Sequence, residues 1–120
     1  MPVLMRKQSS TPEQRYAAVS KVLLGSPGVT QPSDEARARR SFGSTGMRVK
    51  NKIFVMLVRG RLVLKLPAQR VDALIASGDG ERFDPGHGRL MKEWLVLNPA
   101  SKQEWLPLAQ EAMKFVGSKP

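Results

Sequence analysis

Residues 46–66 contain three strand-like runs joined by two very short turns, and this pattern limits the possible folds more than any other feature. In the first run, GMRVK, apolar and cationic residues alternate, as they do in a strand with one buried face. The second run, KIFVMLV, is apolar on both faces, which is typical of a central strand. The third run, RLVLKL, places Leu62, Leu64 and Leu66 on one face. Lys50-Asn51 and Arg59-Gly60 are predicted to be tight turns, so the three runs predict an antiparallel meander.

Helices are predicted before and after the meander in the sequence. The first segment, TPEQRYAAVSKVLLG, offers Thr11 as N-cap, Pro12 in the first turn and Gln14 to complete a capping box. Its predicted apolar stripe consists of Tyr16, Val19, Val22 and Leu23. The segment LPAQRVDALIASG predicts a middle helix. In SKQEWLPLAQEAMKFVG, Ser101 and Glu104 are predicted to cap a C-terminal helix.

One further strand, MKEWLVLN, is predicted before the C-terminal helix, while residues 25–34 and 79–89 are predicted to be loops. The order α-β-β-β-α-β-α predicts an α+β domain of two layers. Its antiparallel sheet has about four strands or more, packed by N-terminal, middle and C-terminal helices. We expect a flexible N-terminal arm over residues 1–10 and a single domain over residues 11–117.

Composition excludes several classes of protein. The chain has no cysteine, which excludes disulfides, thiolate metal sites and a cysteine nucleophile. Its start shows no signal-peptide core, and the apolar stretch at residues 53–58 is too short to cross a bilayer. We therefore expect a cytoplasmic protein that does not contact the membrane.

The positive charge is concentrated in one part of the sequence. The net charge is +10, and between residues 36 and 71 lie ten Lys and Arg residues without a single acid. The other ten Lys and Arg residues are balanced by all ten Asp and Glu residues. We call residues 36–71 the acid-free stretch. A polyanion is its natural ligand. Basic strands can instead simply keep a protein surface hydrated, and cations on edge strands protect a sheet from aggregation.

The sequence predicts which cations would contact phosphates. They are Arg37, Arg39 and Arg40 on the connection before the meander, and Arg48, Lys50, Lys52, Arg61 and Lys65 on its strands and turns. Because side chains alternate along a strand, Arg48, Lys50, Arg61 and Lys65 are expected to share the face opposite their own core residues. The apolar stripes of the predicted helices are needed for packing against the core, which argues against sequence-specific reading of the major groove by a helix.

The remaining candidate residues are weaker. His87 is the only histidine and lies in the 79–89 loop, with Asp84 as its one near acidic neighbour. Trp94 and Trp105 suit a buried core, although exposed tryptophans would stack on bases. Phe42 lies in the cationic connection and suits either the core or a stacking contact. No catalytic residue, metal ligand or cofactor is predicted.

The order of several short motifs resembles that of MmcQ/YjbR-like proteins and, more loosely, the N-terminal domain of TfoX-type competence regulators. The residues that carry the resemblance are Phe42-Gly43, Lys52-Ile53-Phe54, Leu64-Lys65-Leu66, Trp94 and the amphipathic residues 104–116. It covers roughly residues 11–117, and the chain departs from the usual Asn-Gly turn of that family at Lys50-Asn51. The resemblance implies an α+β fold and DNA binding, and it implies no catalytic residue.

Three functions follow as hypotheses. The first is a non-enzymatic nucleic-acid-binding domain of low sequence specificity that contacts phosphates. The second is a protein-interaction adaptor that uses the same sheet. The third is an enzyme with its site in the 79–89 loop, where His87 and Arg89 would hold an anion. The oligomeric state stays open.

Overall fold

The computed structural model describes residues 11–31, 46–83 and 91–118, which form three helices and six strands. The helices are α1 (Pro12–Leu23), α2 (Ala68–Ala76) and α3 (Trp105–Gly117). The strands are β1 (Val29–Thr30), β2 (Met47–Val49), β3 (Lys52–Val58), β4 (Arg61–Lys65), β5 (Gly80–Phe83) and β6 (Met91–Leu97). The strands form one antiparallel sheet in the order β1-β2-β3-β4-β6-β5. The predicted α+β class is therefore confirmed.

The sheet contains two strands that the sequence pattern does not predict. β1 lies within residues 25–34 and β5 within residues 79–89, so the loop prediction is wrong for these parts of both segments. β1 has two residues, and β5 has the sequence GERF, so neither is long and apolar enough to show alternation. Both lie at the edges of the sheet, where short or charged strands resist pairing with other chains.

α1 begins where its capping signal predicts. The Thr11 hydroxyl accepts a hydrogen bond from the Gln14 backbone N–H at 3.1 Å, and the Gln14 side chain accepts one from the Thr11 N–H at 3.0 Å. These bonds satisfy donors that would otherwise be unpaired at the helix start. Tyr16 and Leu23 are buried, but Val22 is 52% exposed, so its predicted place in the apolar stripe is wrong.

The start of α3 differs from the prediction. The helix begins at Trp105 with Glu104 as N-cap, and no side chain caps it, so the predicted box of Ser101 and Glu104 does not form. The Ser101 hydroxyl instead donates to Asp79 at 2.7 Å. Pro107 consequently lies in the first turn, where a missing N–H removes no helical hydrogen bond.

Both turns of the meander have left-handed backbones. Lys50 and Asn51 have φ angles of 51° and 67°, and Arg59 and Gly60 have φ angles of 52° and 78°. Positive φ at both central residues is the pattern of a type I′ turn, which matches the twist of paired strands. The predicted tight turns are confirmed. Asn and Gly are favoured at such positions, whereas Lys and Arg adopt this conformation at a cost of about 1 kcal/mol or more.

The main core lies between the sheet and the three helices. Leu62 and Leu64 of β4 and Leu66 just after it are almost fully buried there, as the alternation predicts. The helix residues buried in the same cluster are Tyr16, Val19, Leu23, Val71, Leu74, Trp105, Leu108, Ala109, Ala112 and Val116. We call this side of the sheet the helix face.

A smaller cluster lies on the opposite side of the sheet, which we call the second face. Met56, Val63, Phe83 and Trp94 form it. Ile53, Val58 and Val96 pack against these four residues. Met56 and Val63 have no exposed surface, so the centre of the second face is apolar and any ligand would meet the longer side chains around it.

A β-bulge interrupts the pairing of β2 with β3. Met47 lies opposite Val55 and Arg48 lies opposite Ile53, so Phe54 is one residue more than the partner strand matches. Phe54 and Val55 are consecutive, yet both belong to the main core. The bulge therefore leaves Ile53 on the second face beside Arg48.

Candidate nucleic-acid interface

Three cations of the acid-free stretch lie on the second face. Arg48 is paired with Ile53, Arg61 with Val58 and Lys65 with Trp94, and each of these partners belongs to or packs on the second cluster. The face predicted for Arg48, Arg61 and Lys65 is thus the one they occupy. Lys50 differs, because it lies in the turn between β2 and β3 rather than on a strand.

Two of these three cations have acidic neighbours in space. Arg61 Nη1 lies 3.4 Å from Glu81 Oε2, and Lys65 Nζ lies 4.0 Å from Glu93 Oε1. The acids come from β5 and β6, and the strand order places β6 next to β4 and β5 beyond β6. Exposed pairs of this kind contribute little to stability, but they reduce the local positive charge. The second face is therefore less cationic around β4 than the sequence of the acid-free stretch indicates.

Arg70, the last cation of the acid-free stretch, is engaged with the helices. Its Nε and Nη2 donate to the two carboxylate oxygens of Glu111 at 2.9 and 3.1 Å, which joins α2 to α3. These hydrogen bonds raise the pKa of Arg70 above its usual value. A guanidinium that forms two hydrogen bonds to one carboxylate stabilises the packing of the two helices and is a poor candidate for contacting a ligand.

Within the described part of the acid-free stretch, three of the four exposed cations without an ion pair lie at one hairpin. Arg48, Lys50 and Lys52 are exposed, and none forms an ion pair with a carboxylate of residues 11–31, 46–83 or 91–118. We call these three residues the hairpin cluster. They lie within five consecutive positions around the Lys50-Asn51 turn, so their charges reinforce one another. The cluster is the part of the described chain best suited to meet an anionic surface.

Both tryptophans belong to buried clusters, and each has a cation over its ring. Trp94 and Trp105 are each 9% exposed. Lys65 Nζ lies 5.6 Å from the centroid of the Trp94 ring, and the Arg15 guanidinium lies 4.0 Å from that of Trp105. Such contacts are cation–π interactions. A base could not stack on either ring without displacing the cation above it.

Asp79 connects the start of β5 to the segment before α3. Its carboxylate accepts hydrogen bonds from the Ser77 hydroxyl at 2.5 Å and the Ser101 hydroxyl at 2.7 Å. Bonds to the ionised form lower the pKa of Asp79. The network fixes β5 beside β6 and so holds Glu81 near Arg61.

A groove of about 280 Å³ lies beside this network and is lined by Arg61, Gly80, Glu81, Val96 and Asn98. Gly80 is required there, because a Cβ would lie 2.5 Å from the Val96 carbonyl oxygen. The charged side chains of the groove neutralise each other as an ion pair. Nothing in this arrangement pairs a nucleophile with a base.

The buried phenol of Tyr16 is a structural group. Its hydroxyl donates to the Val55 carbonyl oxygen at 3.3 Å, which attaches α1 to β3. Burial raises the pKa of Tyr16 well above its usual value, with partial opposition from hydrogen bonds to Ser20 and Met47.

Several predicted residues lie outside the described part of the chain. They are the arm at residues 1–10, the cations Arg37, Arg39 and Arg40, and the candidates Phe42, His87 and Arg89. Among the residues that are described, no group of three or more His, Cys, Asp or Glu side chains could hold a metal ion. None of the described helices is long and apolar enough to cross a membrane.

Comparison with models of known protein families gave no match, and comparisons with curated proteins and with solved structures gave none. Function must therefore be inferred from the charges and geometry above.

Proposed function

We propose that this protein is a non-enzymatic nucleic-acid-binding domain of low sequence specificity, whose principal contacts are made by the hairpin cluster. The observation that carries the proposal is the separation of paired from unpaired cations. Arg61, Lys65 and Arg70 each have a carboxylate partner, whereas Arg48, Lys50 and Lys52 have none among the described residues. Unpaired, exposed cations gain most from a phosphate, because no internal ion pair must be broken first.

Binding would consist of phosphate neutralisation. Each Lys or Arg that contacts a phosphate releases counterions from the nucleic acid, and this release supplies the favourable free energy. Phosphate contacts carry no sequence information, so such a protein would bind different sequences with similar affinity. Arg37, Arg39 and Arg40, which precede the hairpin in sequence, are proposed to add contacts to the same ligand. The motif order shared with MmcQ/YjbR-like proteins supports the same proposal without adding a contact residue.

The test is a salt titration of two matched triple variants. One removes the hairpin cluster (Arg48→Gln, Lys50→Asn and Lys52→Gln), and the other removes three paired cations (Arg61→Gln, Arg70→Gln and Arg82→Gln). Both change the net charge equally, and the ion pairs of the second set are with Glu81, Glu111 and Asp72. Affinity for random duplex DNA and single-stranded RNA is measured by fluorescence anisotropy between about 50 and about 200 mM salt.

The hairpin-cluster variant should lower the slope of log K against log salt by about 2.7, since each lost phosphate contact removes about 0.9. The paired-cation variant should change the slope much less. Equal losses in both variants would show that only net charge matters and would contradict the assignment of the cluster. If the unmodified protein binds no nucleic acid at low salt, the proposed function is wrong, and the hairpin becomes a candidate surface for a protein partner.

A further inference from the structure

Arg59 is the fourth exposed cation of the acid-free stretch without a described acidic partner, and it lies away from the hairpin cluster. It occupies the turn between β3 and β4, at the opposite end of β3 from Lys50. Its φ of 52° is one that arginine rarely adopts, whereas Asn or Gly would fit the turn without strain. No carboxylate within residues 11–31, 46–83 and 91–118 forms an ion pair with it. Strained backbone conformations are common at binding sites, so an unpaired cation in such a conformation is a candidate contact for a ligand.

The two cationic turns are separated by the full length of β3. This strand runs from Lys52 to Val58 and has seven residues. At about 3.4 Å per residue, the turns are about 24 Å apart. The same distance covers about seven base pairs of duplex, at about 3.4 Å per base pair. A sheet strand keeps this separation fixed, so a ligand must supply negative charge at matching positions.

The described aromatic rings favour a duplex over a single strand. Five of them are at most 9% exposed: Tyr16, Phe54, Phe83, Trp94 and Trp105. The sixth, Phe115, packs against the main core. Single-strand binders gain affinity by stacking bases on open rings. A duplex needs no such platform, and its stiffness keeps phosphates at fixed spacing over this distance.

We propose that Arg59 is a second phosphate contact and that the ligand is a nucleic-acid duplex long enough to reach both Arg59 and the hairpin cluster. This inference rests on the proposed function and extends it to a further binding residue and a class of ligand. Binding at two points predicts that affinity rises when the duplex exceeds the distance between the turns.

The experiment compares Arg59→Asn with the unmodified protein on loop-closed DNA duplexes of about four and about twelve base pairs. An RNA duplex and a single strand of the longer length are measured in parallel. Lys21→Gln is the matched control, because Lys21 is exposed on α1 and its loss changes the net charge equally. Arg59→Gly is a second variant that also suits the turn, and thermal unfolding of each variant checks that it is folded.

Arg59→Asn should lower the salt slope on the longer duplex by about 0.9, leave the slope on the shorter duplex unchanged, and raise the unfolding temperature. The Lys21→Gln control should leave the slope on both duplexes unchanged. If the protein binds the longer duplex but neither Arg59 variant alters its slope, the second contact is wrong while the proposed function stands. Tighter binding of the single strand would overturn the choice of a duplex. Absence of binding to every nucleic acid at low salt would overturn the proposed function itself.

Discussion

Lys50 combines a left-handed backbone with an exposed positive charge. Because Asn is favoured at the first central position of a type I′ turn, Lys50→Asn should raise the free energy of unfolding by about 1 kcal/mol. The same change should weaken nucleic-acid binding, since it removes a charge from the hairpin cluster. Urea unfolding and anisotropy on the same samples measure both effects.

Asn51→Gly is the natural control for Lys50→Asn. Glycine suits the second central position of the turn, and the charge is unchanged. Its affinity for nucleic acid should therefore equal that of the unmodified protein. A variant of Lys50 that is more stable but binds equally well would remove Lys50 from the proposed interface.

Asp79 makes stability depend on pH through the hydroxyl groups of Ser77 and Ser101. Its pKa is lowered in the folded protein, so the contribution of the carboxylate is complete above its unfolded pKa of about 3.9 and is lost as pH falls through the folded pKa. Asp79→Asn should consequently destabilise the protein at neutral pH and much less at strongly acidic pH. Urea unfolding at both pH values provides the measurement, and an equal difference at both would contradict the role given to the charge.

The acidic partners of Arg61 and Lys65 could not be predicted from local sequence. Glu81 follows Arg61 by twenty residues, and the two meet only because β6 pairs with β4 on one side and with β5 on the other. Alternation within one strand predicts the face of a side chain, but it does not predict which distant strand lies next to it. The sequence therefore predicted that these cations lie on one face of the sheet, but it did not predict that acids from other strands partly neutralise them.

Among the helices and strands, the start of α1 offers the clearest test of whether a capping signal in the sequence stabilises the element that it predicts. Thr11→Ala removes the side-chain acceptor of the capping box and should lower the free energy of unfolding by about 1 kcal/mol. Thr11→Ser keeps the hydroxyl and should have little effect. Thermal or urea unfolding distinguishes the two, and similar losses in both variants would mean that the cap does not stabilise α1.

Strong local patterns predicted most of the longer elements correctly, although the start of α3 was wrong. β3 and β4 follow from apolar runs and turn residues, and α1 and α2 follow from stripes and end signals. β1 and β5 could not be found in this way, because Val29–Thr30 is too short and Gly80–Phe83 carries two charges. Their strand conformation depends on pairing with β2 and β6, whose own sequence patterns do predict strands.

At the scale of the molecule, folding divides the cations into two groups. Those near α2, β4 and β5 meet acids from other elements, including Arg82, which pairs with Asp72, and Arg70, which pairs with Glu111. Among the described residues, the hairpin cluster and Arg59 remain outside this network, as do Lys21, Lys92, Lys102 and Lys114 beyond the acid-free stretch. The net charge of +10 is already uneven along the sequence, and folding decides which of its cations stay available to an external anion.

The bulge at Phe54 has a consequence for protein engineering. Without Phe54, the pairs Met47–Val55, Arg48–Ile53 and Val49–Lys52 would form an uninterrupted ladder with the same partners. Phe54 therefore behaves as an insertion that adds a ring to the core and leaves Arg48 opposite Ile53 on the second face. Deleting Phe54 should therefore remove a fully buried ring from the core without moving Arg48 to the other face, so the packing of β3 and the direction of this cation can be altered separately.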